Sequence, residues 1–315
     1  MLPIVEGPAQ QAKPGVVEGA RCGILTTLRD IVDRYGLPSV LSLRLAMENT
    51  GCVISGSYAL LAIFPGTFEP NDVDFYVPSS NRDIFIGYLQ QNGYALPAYP
   101  TDYQDTSPSV VGVHRLIRGN SPRTIDVVSV RGPDPLRAVV EFHSTLLMNA
   151  ISSSGVVCLY ASLTLRNVGL INYGLARMPG VHGVGIFDKY RLRGFSLEER
   201  LEDLDDSLPE DSHRCRVDPS CPSTVRTIHD VGVLFIALDY VNDHFSTHRP
   251  TLVWRLANNS CCPAETNGFS MGANCTIGAF YLIIGIPGRA LTDTLHCIQL
   301  RLRVWILLRR PSIFV

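Results

Sequence analysis

The chain has 315 residues, 46% of them hydrophobic, and its formal net charge is −2. This length and composition indicate a globular protein with one large domain, or one domain with a smaller appendage. The nearly balanced charge excludes a strongly basic surface of the kind that binds nucleic acid regardless of sequence, although a local basic patch is compatible with it. No uncharged apolar run is long enough to cross a bilayer, so no transmembrane segment is expected.

The cellular compartment is predicted from the first residues and from the cysteines. Residues 1–6 do not follow the pattern of a secretory signal peptide, and the nine cysteines are scattered and odd in number. Such cysteine usage is unlike a small disulfide framework. We therefore expect an intracellular protein, cytoplasmic or nuclear, with reduced thiols.

The first elements are predicted from composition and apolar spacing. Residues 1–20 are rich in Gly, Pro, Gln and Ala and are expected to form a disordered tail. Apolar residues then recur every three or four positions over 24–35 and 40–47, which predicts two amphipathic helices. A strand over 52–55 and a helix over 57–63 should follow, with Ser57 as the candidate N-cap.

The next predicted strand carries two carboxylates, Asp72 and Asp74. Side chains at i and i+2 of a strand point to the same side, so these two should project together while Val73 and Phe75 face the core. Two like charges placed this way call for a cation. Mg²⁺ bound together with the phosphates of a nucleotide is the cation that suits a carboxylate pair of this kind.

A third acid lies in a hairpin further along the chain. A helix should run from Asn81 to about residue 91, and two β-branched runs, 110–117 and 124–130, are joined by a turn-rich link that predicts an antiparallel hairpin. Asp126 lies inside the second, otherwise apolar run. A buried carboxylate needs a partner, which is either a metal ion or an arginine such as Arg123 or Arg131.

The rest of the chain is predicted in coarser terms. A long helix is expected over 135–151, a strand over 156–165, a charged helix over 190–203, and a loop over 205–221. Lys189 and Arg193 lie one helical turn apart in this interpretation. They either reach towards a triphosphate or form a solvated face paired with neighbouring acids.

Together, Gly56-Ser57, Asp72-Val73-Asp74 and the later Asp126 resemble the signature of the nucleotidyltransferase superfamily of the DNA polymerase β type. The spacer between Ser57 and Asp72 is one residue longer than usual in that family, which implies a small loop insertion. Phe142–Asn149, Lys189-Tyr190, Arg193–Phe195 and Cys221-Pro222 with Arg226 and Asp230 also resemble uncharacterised fungal members.

The resemblance implies a site and its cofactors. Asp72, Asp74 and Asp126 would be the catalytic acids that bind two Mg²⁺ ions, with Mn²⁺ as the alternative metal. Gly56 and Ser57 would seat the phosphates of an NTP, because glycine allows close approach of the backbone and the following helix supplies N–H donors. Lys189 or Arg193 would neutralise the leaving pyrophosphate. The acceptor could be RNA, a small molecule or a protein.

A second metal site is suggested by the loop that ends at residue 221. His213, Cys215 and Cys221 are candidate ligands of a structural zinc ion, with His229, Cys261 or Cys262 as the fourth. The spacing is less specific than a pair of Cys-x-x-Cys knuckles, and unbound thiols are the alternative.

The predicted fold class is α+β (α/β): a small mixed β-sheet nucleotidyltransferase core with flanking helices. The core is expected over 21–155, a helical or irregular, cysteine-bearing region over 156–250, and an apolar, arginine-rich extension over 251–315. Two functions follow. The chain is a metal-dependent nucleotidyltransferase, or it is a catalytically inactive member of that fold that serves as a binding or interaction module.

Overall fold

The computed structural model describes residues 14–97, 107–172, 183–201, 217–238 and 252–256. The helices are α1 (Pro14–Tyr35), α2 (Val40–Thr50), α3 (Ser57–Ile63), α4 (Arg82–Gln91), α5 (Leu136–Val139), α6 (Ala161–Thr164) and α7 (Gly183–Leu192), with a 3-10 helix at Thr145–Leu147. The strands are β1 (Val53–Ser55), β2 (Val73–Pro78), β3 (Val110–Ile117), β4 (Thr124–Val130), β5 (Asn149–Ile151), β6 (Gly155–Cys158), β7 (Val168–Leu170), β8 (Ser196–Glu198), β9 (Arg226–Thr227), β10 (Leu234–Ala237) and β11 (Val253–Trp254).

A mixed sheet forms the centre of the described structure. Its seven strands lie in the order β10-β6-β5-β1-β2-β4-β3, and β2 and β4 are parallel while the other neighbours are antiparallel. The fold class predicted from the sequence, a mixed sheet with flanking helices, is confirmed. Because β6 and β10 belong to this sheet, it extends past residue 155, where the predicted core ended.

The two faces of the sheet bury different sets of side chains. Alternate residues of β2, Val73, Phe75 and Val77, are fully buried in one cluster with side chains of α1, α2, α3 and α4. Tyr76 and Val128 belong to a second cluster on the other face, which also contains Trp254. The period of two along a strand therefore places Asp74 and Asp126 on the face opposite helices α1 to α4.

Local signals explain where the flanking helices begin and end. The Ser39 side chain accepts a hydrogen bond from the Ser42 N–H at 3.1 Å and caps α2, and Gly51 ends this helix in the left-handed region with φ 67°. Asn81 precedes α4, as predicted. Ser57 does not have its predicted capping role, because Gly56 is the N-cap of α3 and no side chain caps this end.

Several predicted elements were wrong. The tail expected over 1–20 overlaps α1, which begins at Pro14, and residues 1–13 lie outside the described part. The helix expected over 135–151 is instead α5, a 3-10 turn and strand β5, and the strand expected over 156–165 ends at Cys158. Short buried apolar runs have no periodicity that separates helix from strand, and β5 is buried at all of its residues.

The last helix near the site is also displaced from its predicted position. We expected a helix over 190–203, whereas α7 ends at Leu192 and Gly194 follows with φ 86°. Gly194 adopts the left-handed conformation that commonly ends a helix, and the chain continues into β8, which pairs with β7. None of the described helices has the length and apolar character that crossing a bilayer requires.

Candidate active site

Three neighbouring strands bring the acids and the glycine turn to one place. Ser55, the last residue of β1, lies opposite Asp74 of β2, and Asp74 lies beside Asp126 of the parallel strand β4. Because residues in register on neighbouring strands point to the same face, the side chains of Asp74 and Asp126 are adjacent. Asp72 lies just before β2. The structure thus places Asp74 and Asp126 on one face, at the point where β1 turns into α3.

The turn between β1 and α3 is in contact with Asp74. Gly56 adopts φ 69° and ψ −140°, a conformation that is essentially restricted to glycine. A Cβ atom on Gly56 would lie 2.7 Å from Oδ2 of Asp74, closer than a real contact allows. Glycine at this position is therefore required twice, by the backbone conformation and by the carboxylate next to it.

Asp74 lies in an environment that disfavours its charge. Burial, followed by the charges of Asp72 and Asp126, raises the pKa of the Asp74 carboxyl to about 8, against a smaller lowering by Lys189 and Arg115. Burial and like-charge neighbours of this kind are typical of functional sites. A bound cation would relieve both effects.

Asp126 has an arginine partner that the sequence prediction did not identify. Arg115 of β3 donates from Nε to Oδ1 of Asp126 at 2.8 Å and from Nη2 to Oδ2 at 2.6 Å. Of the two predicted partners, Arg123 pairs instead with Glu69. Counting outwards from the hairpin turn would have found the pair, because Ile117 faces Thr124 and Arg115 therefore faces Asp126.

Helix α7 and the residue that follows it bring cationic side chains to the turn. Arg193 donates from Nη1 to the Ser57 hydroxyl at 3.1 Å, and the Tyr190 hydroxyl lies 3.3 Å from the same oxygen. The Arg193 guanidinium is 4.2 Å from the ring centre of Phe68, and desolvation lowers the pKa of Arg193. Lys189 lies near enough to Asp74 to lower its pKa.

These contacts bear on the predicted alternatives for Lys189 and Arg193. Of the two, Arg193 is directed into the site, while the exposed pair with Asp188 is made by Arg191. Tyr190, which was not predicted as a site residue, joins α7 to Ser57. The resemblance to fungal proteins includes Tyr190 but gives it no role, and a single tyrosine in a helix is more often a packing residue.

A histidine with one unpaired ring nitrogen packs against α7. The ring of His143 packs against Phe187 with 5.2 Å between ring centres, and its Nδ1 atom is buried without a hydrogen bond. Burial, followed by the charge of Lys189, lowers the pKa of His143 to about 4. This residue is therefore neutral at pH 7 and supports α7 by packing.

Neither predicted metal site is assembled among the described residues. Within them, no three His, Cys, Asp or Glu side chains are grouped as a metal site requires, the three aspartates included. Asp72 and Asp74 have the donor chemistry of a Mg²⁺ site, whereas both oxygens of Asp126 already accept hydrogen bonds. Of the predicted zinc ligands, His213 and Cys215 lie outside the described residues and Cys221 is buried, so zinc stays a prediction.

Known proteins similar to this chain are found among solved structures. No family model and no curated protein matches the chain. A solved structure described as a tRNA-processing enzyme in an apo form is 15% identical, with a TM-score of 0.31, over 61% of this chain and 46% of that one. A CCA-adding enzyme in complex with ATP is 12% identical, with a TM-score of 0.30, over 60% of this chain and 40% of that one. The chain spans less than half of either, so function has to be inferred from the site residues.

Proposed function

We propose that the protein is a metal-dependent nucleotidyltransferase that transfers a nucleotidyl group from an NTP to a hydroxyl acceptor. The observation that carries this proposal is a convergence at the start of α3. The glycine turn, the acids of β2 and β4, and the cations of α7 and the residue after it come from distant parts of the sequence and meet at one end of three strands. An acidic pair next to cationic donors is the arrangement that phosphoryl transfer needs.

The phosphates of the NTP would be held by the cationic side of the site. Arg193 uses one of its donors on Ser57 and keeps the others for phosphate oxygens. Lys189 adds a second positive charge on the preceding helical turn. Tyr190 and Phe68 hold the Arg193 guanidinium in place through ring contacts, so that its donors are already oriented when the nucleotide arrives.

The divalent cation would be held by Asp72 and Asp74, whose oxygens suit Mg²⁺ or Mn²⁺. When bound, such an ion would neutralise charge on the reacting phosphate. The carboxylate of Asp74 must be ionised to do this, and its raised pKa means that it ionises readily only with a cation beside it. Asp126 would be the third acid and would orient the acceptor hydroxyl. The acceptor class, RNA, a small molecule or a protein, stays open.

One observation favours the second candidate, a nucleotide-binding or interaction module without catalysis. Arg115 holds both oxygens of Asp126, so the third acid is not available in this arrangement. In that case NTP would still bind through Arg193 and through a cation held by Asp72 and Asp74, and no transfer would follow.

Nucleotide binding tests both candidates. ATP, GTP, CTP and UTP should be titrated against the full chain with Mg²⁺ or Mn²⁺, and at least one should bind only when the metal is present. Asp74→Asn should abolish metal-dependent binding. Asp83→Asn is the matched control, because Asp83 is exposed on α4 and pairs with Arg82. Its binding should equal that of the wild type.

Turnover then separates the two candidates. If the protein is an enzyme, label from an α-labelled NTP should be transferred to an acceptor fraction and pyrophosphate should be released. Asp74→Asn should abolish both the transfer and the release. Metal-dependent binding without pyrophosphate release for any acceptor class would favour the module. Absence of binding by all four nucleotides with either metal would contradict the enzyme and the nucleotide-binding module, and would leave the interaction module.

A further inference from the structure

The pair of Arg115 and Asp126 differs from an ordinary surface ion pair. It is bidentate, with two short hydrogen bonds in the fork geometry that a guanidinium and a carboxylate prefer. The Asp126 side chain is 7% exposed and that of Arg115 is 34% exposed. Most of the accessible surface of the pair thus belongs to the arginine.

This geometry affects what else can bind to Asp126. A carboxylate has about four acceptor positions on its two oxygens, and the fork takes one on each. The remaining positions are almost entirely screened from solvent, because the carboxylate is buried. A metal ion and the Arg115 guanidinium would therefore compete for the same carboxylate, and two cations side by side would repel each other.

Arg115 also interacts with the other acids of the site. Its charge lowers the pKa of Asp74, and the charges of Asp72 and Asp74 in turn act on Arg115. A guanidinium keeps its charge throughout the ordinary pH range, so Arg115 cannot leave Asp126 by losing a proton. It can leave only by moving.

The position of Arg115 allows such a movement. Strand β3 is the last strand of the sheet at its end of the order, so the residue lies on an edge strand. In the described residues the Arg115 side chain makes its hydrogen bonds to Asp126 alone. Rotation about the side-chain bonds would expose the guanidinium to water without breaking the ladder between β3 and β4.

We propose that Arg115 is a positioning residue that occupies Asp126 in place of a metal ion, so that the folded site accepts one divalent cation and a second only after Arg115 swings away. This inference rests on the proposed nucleotide site and adds a step that limits when the second metal ion binds. The built-in cation keeps the acidic cluster from binding two metal ions before the acceptor is present.

The test is a count of bound Mn²⁺ ions. Free Mn²⁺ is measured by electron paramagnetic resonance while the full chain is titrated in the presence of a non-hydrolysable ATP analogue. Wild type should bind one ion per chain. Arg115→Gln should bind two, with the second about tenfold to a hundredfold tighter than any second ion in wild type, the range expected for loss of a charge-assisted bidentate contact.

A control variant and a second Arg115 variant separate the effect of Arg115 from a general loss of positive charge. Arg123→Gln removes the same charge from an arginine that pairs with Glu69 outside the acidic cluster, and it should bind as wild type does. Arg115→Lys keeps the charge but loses the fork, and its second ion should bind with intermediate affinity. If Arg115→Gln does not fold, as judged by circular dichroism, Arg115→Lys carries the test.

The outcomes separate this inference from the proposed function. Two ions in wild type, with no tighter second site in the Arg115 variants, overturns the role of Arg115 and leaves the nucleotidyltransferase proposal in place. A second ion that binds only to the Arg115 variants supports the role of Arg115, whether or not wild type shows turnover. No metal-dependent nucleotide binding in any variant overturns both.

Discussion

Two arginine-aspartate pairs in this protein have similar geometry and opposite surroundings. Arg226 and Asp230 form a bidentate pair, as do Arg115 and Asp126. Arg226 is 1% exposed, donates further to the carbonyl oxygens of Pro219 and Leu159, and lies over the rings of Tyr160 and Trp254. Asp230 accepts two more bonds, from the Thr227 and Gly232 N–H groups.

The two pairs differ in the charges and hydrogen-bond acceptors that surround them, and this difference distinguishes a structural ion pair from a candidate binding site. The buried Arg226 guanidinium has its counter-ion in Asp230 and further acceptors in the carbonyl oxygens of Pro219 and Leu159, so the pair stabilises the packing of residues 226–230 against the end of β6. Around Arg115 the acids are crowded instead: burial, followed by the charges of Asp72 and Asp126, raises the pKa of Asp74 despite the opposite charges of Lys189 and Arg115. Burial of neighbouring like charges is costly to the fold, and this cost is the reason to propose the second region as the binding site.

The largest expected effect compares the acids of the two regions. Asp230→Asn leaves the buried Arg226 charge without its counter-ion and should lower the free energy of unfolding by about 3 kcal/mol. Asp74→Asn removes a repelling charge and should leave the metal-free protein as stable as wild type or more so, by about 1 kcal/mol. Urea unfolding at pH 8 with chelator measures both. Equal destabilisation by the two changes would remove the distinction between the regions.

A smaller effect is expected at the glycine turn. Gly56→Ala places a Cβ against Asp74 in a conformation that L residues rarely adopt, and it should cost about 2 to 3 kcal/mol of unfolding free energy. Gly66→Ala is the matched control, since Gly66 also has positive φ, at 75°, but open space around its Cα. It should cost about 1 kcal/mol. If the two variants lose the same stability, the contact with Asp74 contributes nothing.

The smallest effect concerns His143 and pH. Because the folded state holds its pKa near 4, below the ordinary 6.5, the stabilisation from a neutral His143 is complete above about pH 6.5 and is lost as pH falls towards 4. Between pH 7 and pH 5 wild type should lose about 2 kcal/mol more than His143→Phe. Exposed His229→Gln is the control and should follow wild type. Parallel pH dependence in His143→Phe and wild type would contradict this.

Elements with clear local signals were predicted at or near their observed bounds. The helix over 57–63 and the hairpin strands Val110–Ile117 and Thr124–Val130 match, since β-branched runs and turn residues specify them locally. Strand β5 was predicted as part of a helix because its apolar run owes its extended form to pairing with β1 and β6. The candidate site also combines residues that the sequence predicted with residues that it did not. Its acids were predicted, and Arg115 and Tyr190 were not.

The sequence alone determined which side of a strand carries the acids and where a glycine turn lies, because both follow from the two-residue period and from local backbone chemistry. The tertiary structure decided the charge partners. Arg115 and Asp126 meet through hairpin register, and Arg193 meets Ser57 across a separation of 136 residues. The first contact follows from counting outwards from the hairpin turn, whereas the second depends on where helix α7 lies relative to the start of α3, which residue types and spacing do not reveal.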